Sequence, residues 1–326
     1  MNEEIELSVI IPNYNGSKYI IDCIKSFEKQ KYKKFEIIII DDGSSDNSVL
    51  LINEYKKKTR MKITLIKQFN QNAAVARNRG IEVAKGKYLY FIDSDDELYD
   101  ENTLLLITTK IKNNDLLIGN YILIDKFKNI ISRYNNLSDF IIENKENYKY
   151  VDLSPVPSNK LFKTEIIRKN KLSFGNVRIG QDLNFYLKYL QFCNNIKIIE
   201  DNIYKYRILS TSMSRLINLN FIDIYNTFDD IKKTYEKNDN LDNFNLFVIP
   251  VAIRHYHQQL IKVDKIKERN KRKMIFSYFK FCYNDIQIKK KYRTKQNNIQ
   301  TKKFWVKYIL LKFKFYKIFM KIKEMK

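Results

Sequence analysis

Between Tyr88 and Asp96 the chain reads Tyr-Leu-Tyr-Phe-Ile-Asp-Ser-Asp-Asp, an apolar run that ends in three carboxylates within four residues. Carboxylates crowded at the edge of a core repel one another and lose hydration, so clustering them calls for a cation or a donor-rich ligand between them. Hard divalent ions such as Mg²⁺ and Mn²⁺ take oxygen ligands, commonly one or two carboxylates together with the phosphate oxygens of a substrate. A nucleotide diphosphate needs that arrangement. The alternative for an isolated Asp-x-Asp is an acidic turn that caps the next helix.

The segments around this run decide where such a turn would lie. Leu7 to Pro12 reads as a short buried strand stopped by proline, and Phe35 to Ile40 as a second one that ends in Asp41-Asp42-Gly43-Ser44. Between them Tyr19, Ile20, Cys23, Ile24 and Phe27 recur at helical spacing. Lys62 to Ile66 is a third strand candidate after a helical segment over 49–55, and 88–92 is the fourth. Strands alternating with helices imply βαβ units, an α/β fold and a mostly parallel sheet flanked by helices. Ligands of such sheets bind outside the carboxyl ends of the strands. Pro12-Asn13-Tyr14-Asn15, Asp41-Asp42 and Asp93-Ser94-Asp95 all fall there. No Gly-x-Gly-x-x-Gly follows the first strand, which disfavours an NAD-type oxidoreductase.

Taken in order, Ser8 to Asn15, Ile39 to Asp46, Ala74 to Gly80 and Asp93 to Asp96 resemble the successive blocks of a GT-A fold, family 2 glycosyltransferase. The similarity continues through Pro157 to Phe162, Gly180 to Phe185, Tyr204 to Arg207 and Ser212-Met213-Ser214, so it covers about Leu7 to Arg215. The resemblance implies a GT-A nucleotide-sugar-binding domain over 1–215, followed by a helical, strongly basic module over 216–326.

It also implies a UDP-sugar donor and a metal-dependent, inverting transfer. On that reading Pro12, Tyr14 and Asp42 hold the base, with Asp42 accepting from the uracil N3–H. Asp93 hydrogen-bonds the ribose, Asp95 ligates a Mn²⁺ or Mg²⁺ ion, and Arg77 is the cation near the pyrophosphate or the sugar. Asp42 as a turn residue before Gly43, and Arg77 as a helix-surface cation, are the competing readings. Asp182 stands where the family places the carboxylate that takes the acceptor proton. The family usually shows Glu-Asp there, whereas this chain has Gln181-Asp182, which removes a second negative charge beside the base. The competing role for Asp182 is an N-cap for a helix that begins at Leu183. Arg207 and the Ser210-Thr211-Ser212 cluster are expected on a lid that closes over donor and acceptor, although Ile208 and Leu209 stand where some relatives carry His or Arg.

The implied product is a hexose or N-acetylhexosamine added to a glycan or lipid-linked glycan acceptor of a capsule, lipopolysaccharide or teichoic acid. Rival readings are a non-catalytic nucleotide-sugar-binding or scaffold protein on the same fold, and a transferase with another sugar nucleotide or a soluble acceptor. The 326-residue chain has a net charge of +23, and its distribution is uneven. From Arg254 to Lys326 there are 23 Lys and Arg against four acids, so the basicity belongs to the C-terminal module. Phe304, Tyr308, Leu311, Phe315, Ile318, Ile322 and Met325 fall on one helical stripe, with Lys307, Lys314, Lys317 and Lys321 opposite. That pattern suits an anionic membrane surface. A heptad seam to another helix or a second subunit, and a lysine-rich compositional bias, are the alternatives. Nucleic acid is not expected, because no recognised nucleic-acid module accompanies the charge. His255 and His257 stand two apart, a poor chelate on a helix. Cys23, Cys193 and Cys282 lack metal-ligand spacing and read as packing residues of a reduced, intracellular protein. The acidic start and the lack of a ~20-residue apolar run place the expected protein in the cytoplasm, peripheral at the inner face of the membrane.

Overall fold

The computed structural model describes residues 5–134, 138–142, 154–177, 180–209 and 223–240, with Val248. The lysine and aromatic stripe of 304–325, both histidines, Cys282 and the serines of 210–214 lie outside the described residues. Two compact units divide the chain, one of 1–218 with 226–240 and one of 219–225 with 241–326.

Three βα units open the first unit: β1 (Leu7–Asn13), α1 (Ile20–Glu28), β2 (Phe35–Asp41), α2 (Ser48–Lys56), β3 (Ile63–Lys67) and α3 (Ala73–Val83), followed by β4 (Tyr88–Phe91). β1 and β2 are buried at every position, which is why they read as unbroken apolar runs and not as alternating ones. β1 runs one residue past Pro12. The β4 register ends at Ile10, so the missing proline N–H breaks no ladder bond there. β3-β2-β1-β4 are parallel, as expected.

Beyond β4 the sheet, ten-stranded among the described residues, becomes mixed. β5 (Glu97–Leu98), α4 (Thr103–Lys110), β6 (Leu116–Ile124), β7 (Ile130–Tyr134), β8 (Phe140–Ile142), β9 (Lys160–Lys163), α5 (Thr164–Lys169), α6 (Gln181–Leu190) and β10 (Ile196–Arg207) follow. β9 inserts antiparallel between β4 and β6, and β6 pairs parallel with β10. α7 (Asp223–Lys237) starts after residue 215, where the domain boundary was expected. Its Tyr235 hydroxyl donates to the Leu187 carbonyl of α6 (2.7 Å), and Asp230 accepts from Lys188. The site-bearing unit therefore extends past the last recognised block.

A polar pin joins three elements at the amino ends of the strands. The buried Glu36 side chain accepts from Ser8 Oγ (2.8 Å) and from the Lys85 N–H (2.8 Å), while Ser8 Oγ accepts from the Gly86 N–H (2.8 Å). Thr164 grips the same turn from the other side, its hydroxyl on the Gly86 carbonyl (2.7 Å) and its N–H on Lys87 (2.9 Å). A Cβ on Gly86 would stand 2.4 Å from the backbone nitrogen of Ser8. Because the obstacle is strand backbone, Gly86→Ala is expected to cost about 1–3 kcal/mol, the usual range for overpacking. Urea unfolding measures this; a loss well below that range would show that the turn can move away from β1.

Candidate active site

The carboxyl ends of β1, β2 and β4 deliver the residues singled out above. Asn13 ends β1, Asp41 ends β2, and the Asp93–Asp96 turn follows β4. Asn13 Nδ2 donates to Asp41 Oδ1 (2.8 Å) and to Ser44 Oγ (3.2 Å), which ties the first two loops together. Asn15 adopts a left-handed φ of 49°, and its Oδ1 accepts from the Ser45 N–H (2.9 Å). The positive φ at this short polar residue lets the loop fold back on Ser45. Asp46 accepts from the Ser48 hydroxyl and from the Ser17 and Ser48 N–H groups; these bonds outweigh its burial and bring its carboxyl down to about 2.

Pro12 is buried in β1, and Tyr14 just beyond it is 55% exposed, an aromatic face open at the site. Asp42 is buried and fully engaged. Its Oδ1 accepts from Gln68 Nε2 (2.7 Å) and the Gln71 N–H (2.9 Å), and its Oδ2 from the Asn72 N–H (2.8 Å). In this structure Asp42 therefore shapes the 68–72 loop, and a uracil N3–H would compete with protein donors for its oxygens. Asn72 in turn caps α3, accepting from the Ala74 N–H (3.0 Å).

Arg77 lies on α3 and is buried, not the surface cation of the competing reading. Its Nη2 donates to Asp93 Oδ1 (2.7 Å) and its Nη1 to Asp182 Oδ1 (3.0 Å), so one guanidinium bridges two of the predicted site carboxylates. The ring of Phe174 lies 5.3 Å beneath it. Asn78, next on α3, holds Phe174 by both backbone groups, donating to its carbonyl (3.0 Å) and accepting from its N–H (2.8 Å). Phe174 stacks on Phe185 of α6 with centroids 4.1 Å apart. α6 begins at Gln181 with Gly180 as its N-cap at φ 75°, so Asp182 is the second helical residue and not the cap. Its side chain is 36% exposed yet backed by the core. Burial pushes its carboxyl above the ordinary range, with Arg77 pulling the other way. Gln181 donates to the Val177 carbonyl (2.9 Å) and to Asn72 Oδ1 (3.3 Å), which links the start of α6 to the start of α3.

The three carboxylates after β4 have separate fates. Asp93 takes the Arg77 bridge. Asp96 is buried, accepts from the Arg207 N–H (2.8 Å), and is pushed well above the ordinary range by burial and then by Asp95 and Asp93. Asp95 is partly exposed, and burial with repulsion from Asp93 raises it to about 6. Arg207 differs from expectation. It is 1% exposed, and its donors go to the Asp95 carbonyl (2.8 Å), the Asp125 carbonyl (3.5 Å) and Glu97, with Tyr19 stacked 5.0 Å from the guanidinium. Instead of serving on a lid, Arg207 clamps the acidic turn from behind, since it ends β10 in register with Ile124 of β6 and is buried there.

Among the described residues no group of three or more His, Cys, Asp or Glu side chains could hold a metal by itself. Asp95 and Asp93 nevertheless suit a hard ion that completes its shell with diphosphate and water oxygens. A cation there would also relieve the repulsion that raises Asp95. Gln68, Asn72 and Phe174 were not singled out from the sequence. The polar Asn70-Gln71-Asn72 run before Ala73-Ala74 carries a helix-start signal; Phe174 carries none.

A parallel sheet edge that brings a paired guanidinium and several carboxylates to the loops after β1, β2 and β4 makes this an α/β protein with a polar site at the carboxyl ends of its strands. The family described as Glycosyl transferase family 2 matches residues 8–170, half of the chain, and the chain belongs to it. It is a glycosyltransferase. Glycosyltransferase GlyG of Streptococcus pneumoniae is 32% identical over 222 residues, 64% of this chain and 73% of that protein. The poly(ribitol-phosphate) β-N-acetylglucosaminyltransferase TarP of Staphylococcus aureus is 34% identical over 214 residues, 63% of this chain and 62% of that one. The crystal structure of S. aureus TarS 1–349 in complex with UDP-GlcNAc has a TM-score of 0.71 at 21% identity, over 85% of this chain and 80% of that one. At that identity the likeness is one of fold, and it confirms the GT-A architecture.

The raised Asp95 makes the carboxylate turn sensitive to pH. An acid raised from the usual 3.8 to about 6 destabilises the fold once it ionises, so the penalty is full above pH 6 and vanishes below pH 4. Asp95→Asn should therefore stabilise the metal-free protein by roughly 1–3 kcal/mol at pH 8, with the gain lost near the acid end. Saturating Mg²⁺ should stabilise the wild type and not the variant. Equal urea midpoints at pH 8, with no response to Mg²⁺, would remove Asp95 from a cation site.

Proposed function

We propose that the protein moves a hexose or N-acetylhexosamine from a UDP-sugar to a glycan acceptor, with inversion, in the synthesis of a cell-surface polysaccharide. The observation that carries this is the Arg77 bridge, which holds Asp93 and Asp182 on one guanidinium. If Asp93 binds the donor ribose, the same cation sets where the acceptor-side base stands. The names of TarP and TarS, poly(ribitol-phosphate) β-N-acetylglucosaminyltransferases, support an N-acetylhexosamine donor and a polymeric acceptor.

In the proposed step the acceptor oxygen attacks the anomeric carbon while Asp182 takes its proton. The bond from that carbon to the diphosphate oxygen breaks, and UDP departs with the electron pair. One displacement inverts the centre. Burial raises Asp182, which makes its carboxylate a stronger base than an ordinary surface aspartate. Tyr14 offers its exposed ring to the nucleobase, and Arg77 lies where it can counter phosphate charge. A divalent ion held by Asp95, with Asp93 beside it, would neutralise charge that builds on the departing diphosphate. Localisation at the cytoplasmic face of a membrane rests on the basic, amphipathic stripe near the C-terminus. Among the described residues no helix is long and apolar enough to cross a bilayer.

A panel of UDP-sugars, read as UDP release with and without Mn²⁺, tests the reading. Release from at least one donor, stimulated by the metal, is the expected result. Asp182→Asn keeps the shape but cannot take a proton, and should lower transfer by roughly 10²–10⁴-fold with donor KM little changed. The wild-type rate should fall on the acid side as Asp182 protonates, starting above the ordinary carboxylate range. Loss of donor affinity without loss of the chemical step would make Asp182 a donor ligand.

A further inference from the structure

A large groove of the site-bearing unit lies away from the candidate active site. It encloses about 1100 Å³ at the opposite, amino-terminal end of the parallel strands. Six cations line it: Lys62 before β3, Lys85 and Lys87 before β4, Lys163 on β9, and Arg168 and Lys169 on α5. Glu165 is the one lining acid. Lys163 shares Asp115 (3.4 Å) and Glu165 (3.6 Å), and Lys62 reaches the buried Glu36 at 3.9 Å. Lys85, Lys87 and Lys169 have no ion-pair partner among the described residues.

The frame beneath the lysines is rigid. Ser8, Glu36 and Thr164 pin the 85–87 turn from both sides, and the Arg168 guanidinium donates to the Ala84 carbonyl. Lysines following a helix can serve the helix dipole alone. Here, however, cations from three separate chain segments converge on one concavity, and like charges brought together repel unless an anion joins them. Ile5, partly exposed, is the one large apolar side chain among the lining residues, so the groove lacks the cluster of anchors with which proteins insert into bilayers. It likewise presents no exposed aromatic ring on which bases could stack. A flexible chain of charged groups without bases can enter a concavity that a planar surface cannot.

We propose that this groove is a binding site for a linear polyanion bearing phosphate groups, at the end of the sheet opposite the candidate active site. The inference rests on the groove alone and does not depend on the proposed transfer reaction.

Fluorescently labelled inorganic polyphosphate, titrated by anisotropy into the full chain, tests it. Lys85→Glu, Lys87→Glu and Lys169→Glu together should weaken binding by about tenfold or more, and should flatten its dependence on salt. The control is Lys112→Glu, Lys126→Glu and Lys233→Glu, the same change of net charge on other exposed positions, which should have much the smaller effect. Equal weakening by both sets would assign binding to net charge, including that of the C-terminal module, and overturn the site. A groove-specific loss greater for phosphatidylglycerol vesicles, or for single-stranded RNA of matched charge, than for polyphosphate would overturn the ligand class. Thermal unfolding confirms that the variants fold, and the Lys→Gln set at 85, 87 and 169 replaces the charge reversals if they do not. UDP release by the same variants, expected to be unchanged, reports separately on the transfer reading.

Discussion

The site depends on one buried guanidinium. Arg77 has lost most of its hydration, and that cost is met by two carboxylates at 2.7 and 3.0 Å and by the face of Phe174. A planar fork can satisfy two partners at a fixed angle, which a lysine ammonium cannot do as a rigid unit. The consequence is geometric. The loop after β4 and the start of α6, 89 residues apart in the chain between Asp93 and Asp182, are held in one register by a residue of α3. Phe174 and Asn78 fix the guanidinium from below, so the position of the candidate base is set by packing that starts in the aromatic cluster of Phe91, Phe162, Phe174 and Phe185.

A second arginine does the complementary work behind the acidic turn. Arg207 holds the Asp95 carbonyl and Glu97, and its own N–H goes to Asp96, so the turn keeps its shape despite three carboxyl groups in four positions. Burial, and then Asp95 and Asp93, push the Asp96 carboxyl well above the ordinary carboxylate range. The acidic cluster thus divides its labour: one carboxylate bridges to Arg77, one stays partly exposed, and one is a buried anchor.

The charges of this domain are segregated along the strands. Carboxylates gather at the carboxyl ends of β1, β2 and β4, while Lys62, Lys85, Lys87, Lys163, Arg168 and Lys169 gather at the other end. Helix polarity favours this division, because helices antiparallel to the strands bring positive ends to the site and negative ends to the lysines. The result is a domain with an acidic edge and a basic groove, separated by a sheet whose core is apolar.

Much of this was legible in the sequence. Continuous apolar strands and helical periodicity determine the βαβ half, since buried parallel strands tolerate few polar residues and leave a pattern that can be read locally. The loops after those strands announced Tyr14, Asp42, Asp93 and Asp95 for the same reason: polar residues at the ends of buried strands stand out. The mixed half of the sheet was not legible, because β9 pairs with β4 across about 70 residues and no local pattern encodes that insertion. Nor were the roles of the two arginines. Arg77 and Arg207 look alike in sequence, each within a recognised block that also holds a second cation, Arg79 or Lys205. Only the tertiary structure decides that one joins two site carboxylates while the other is locked behind the turn, because what a charged side chain does follows from which carboxylates surround it, and those come from distant segments.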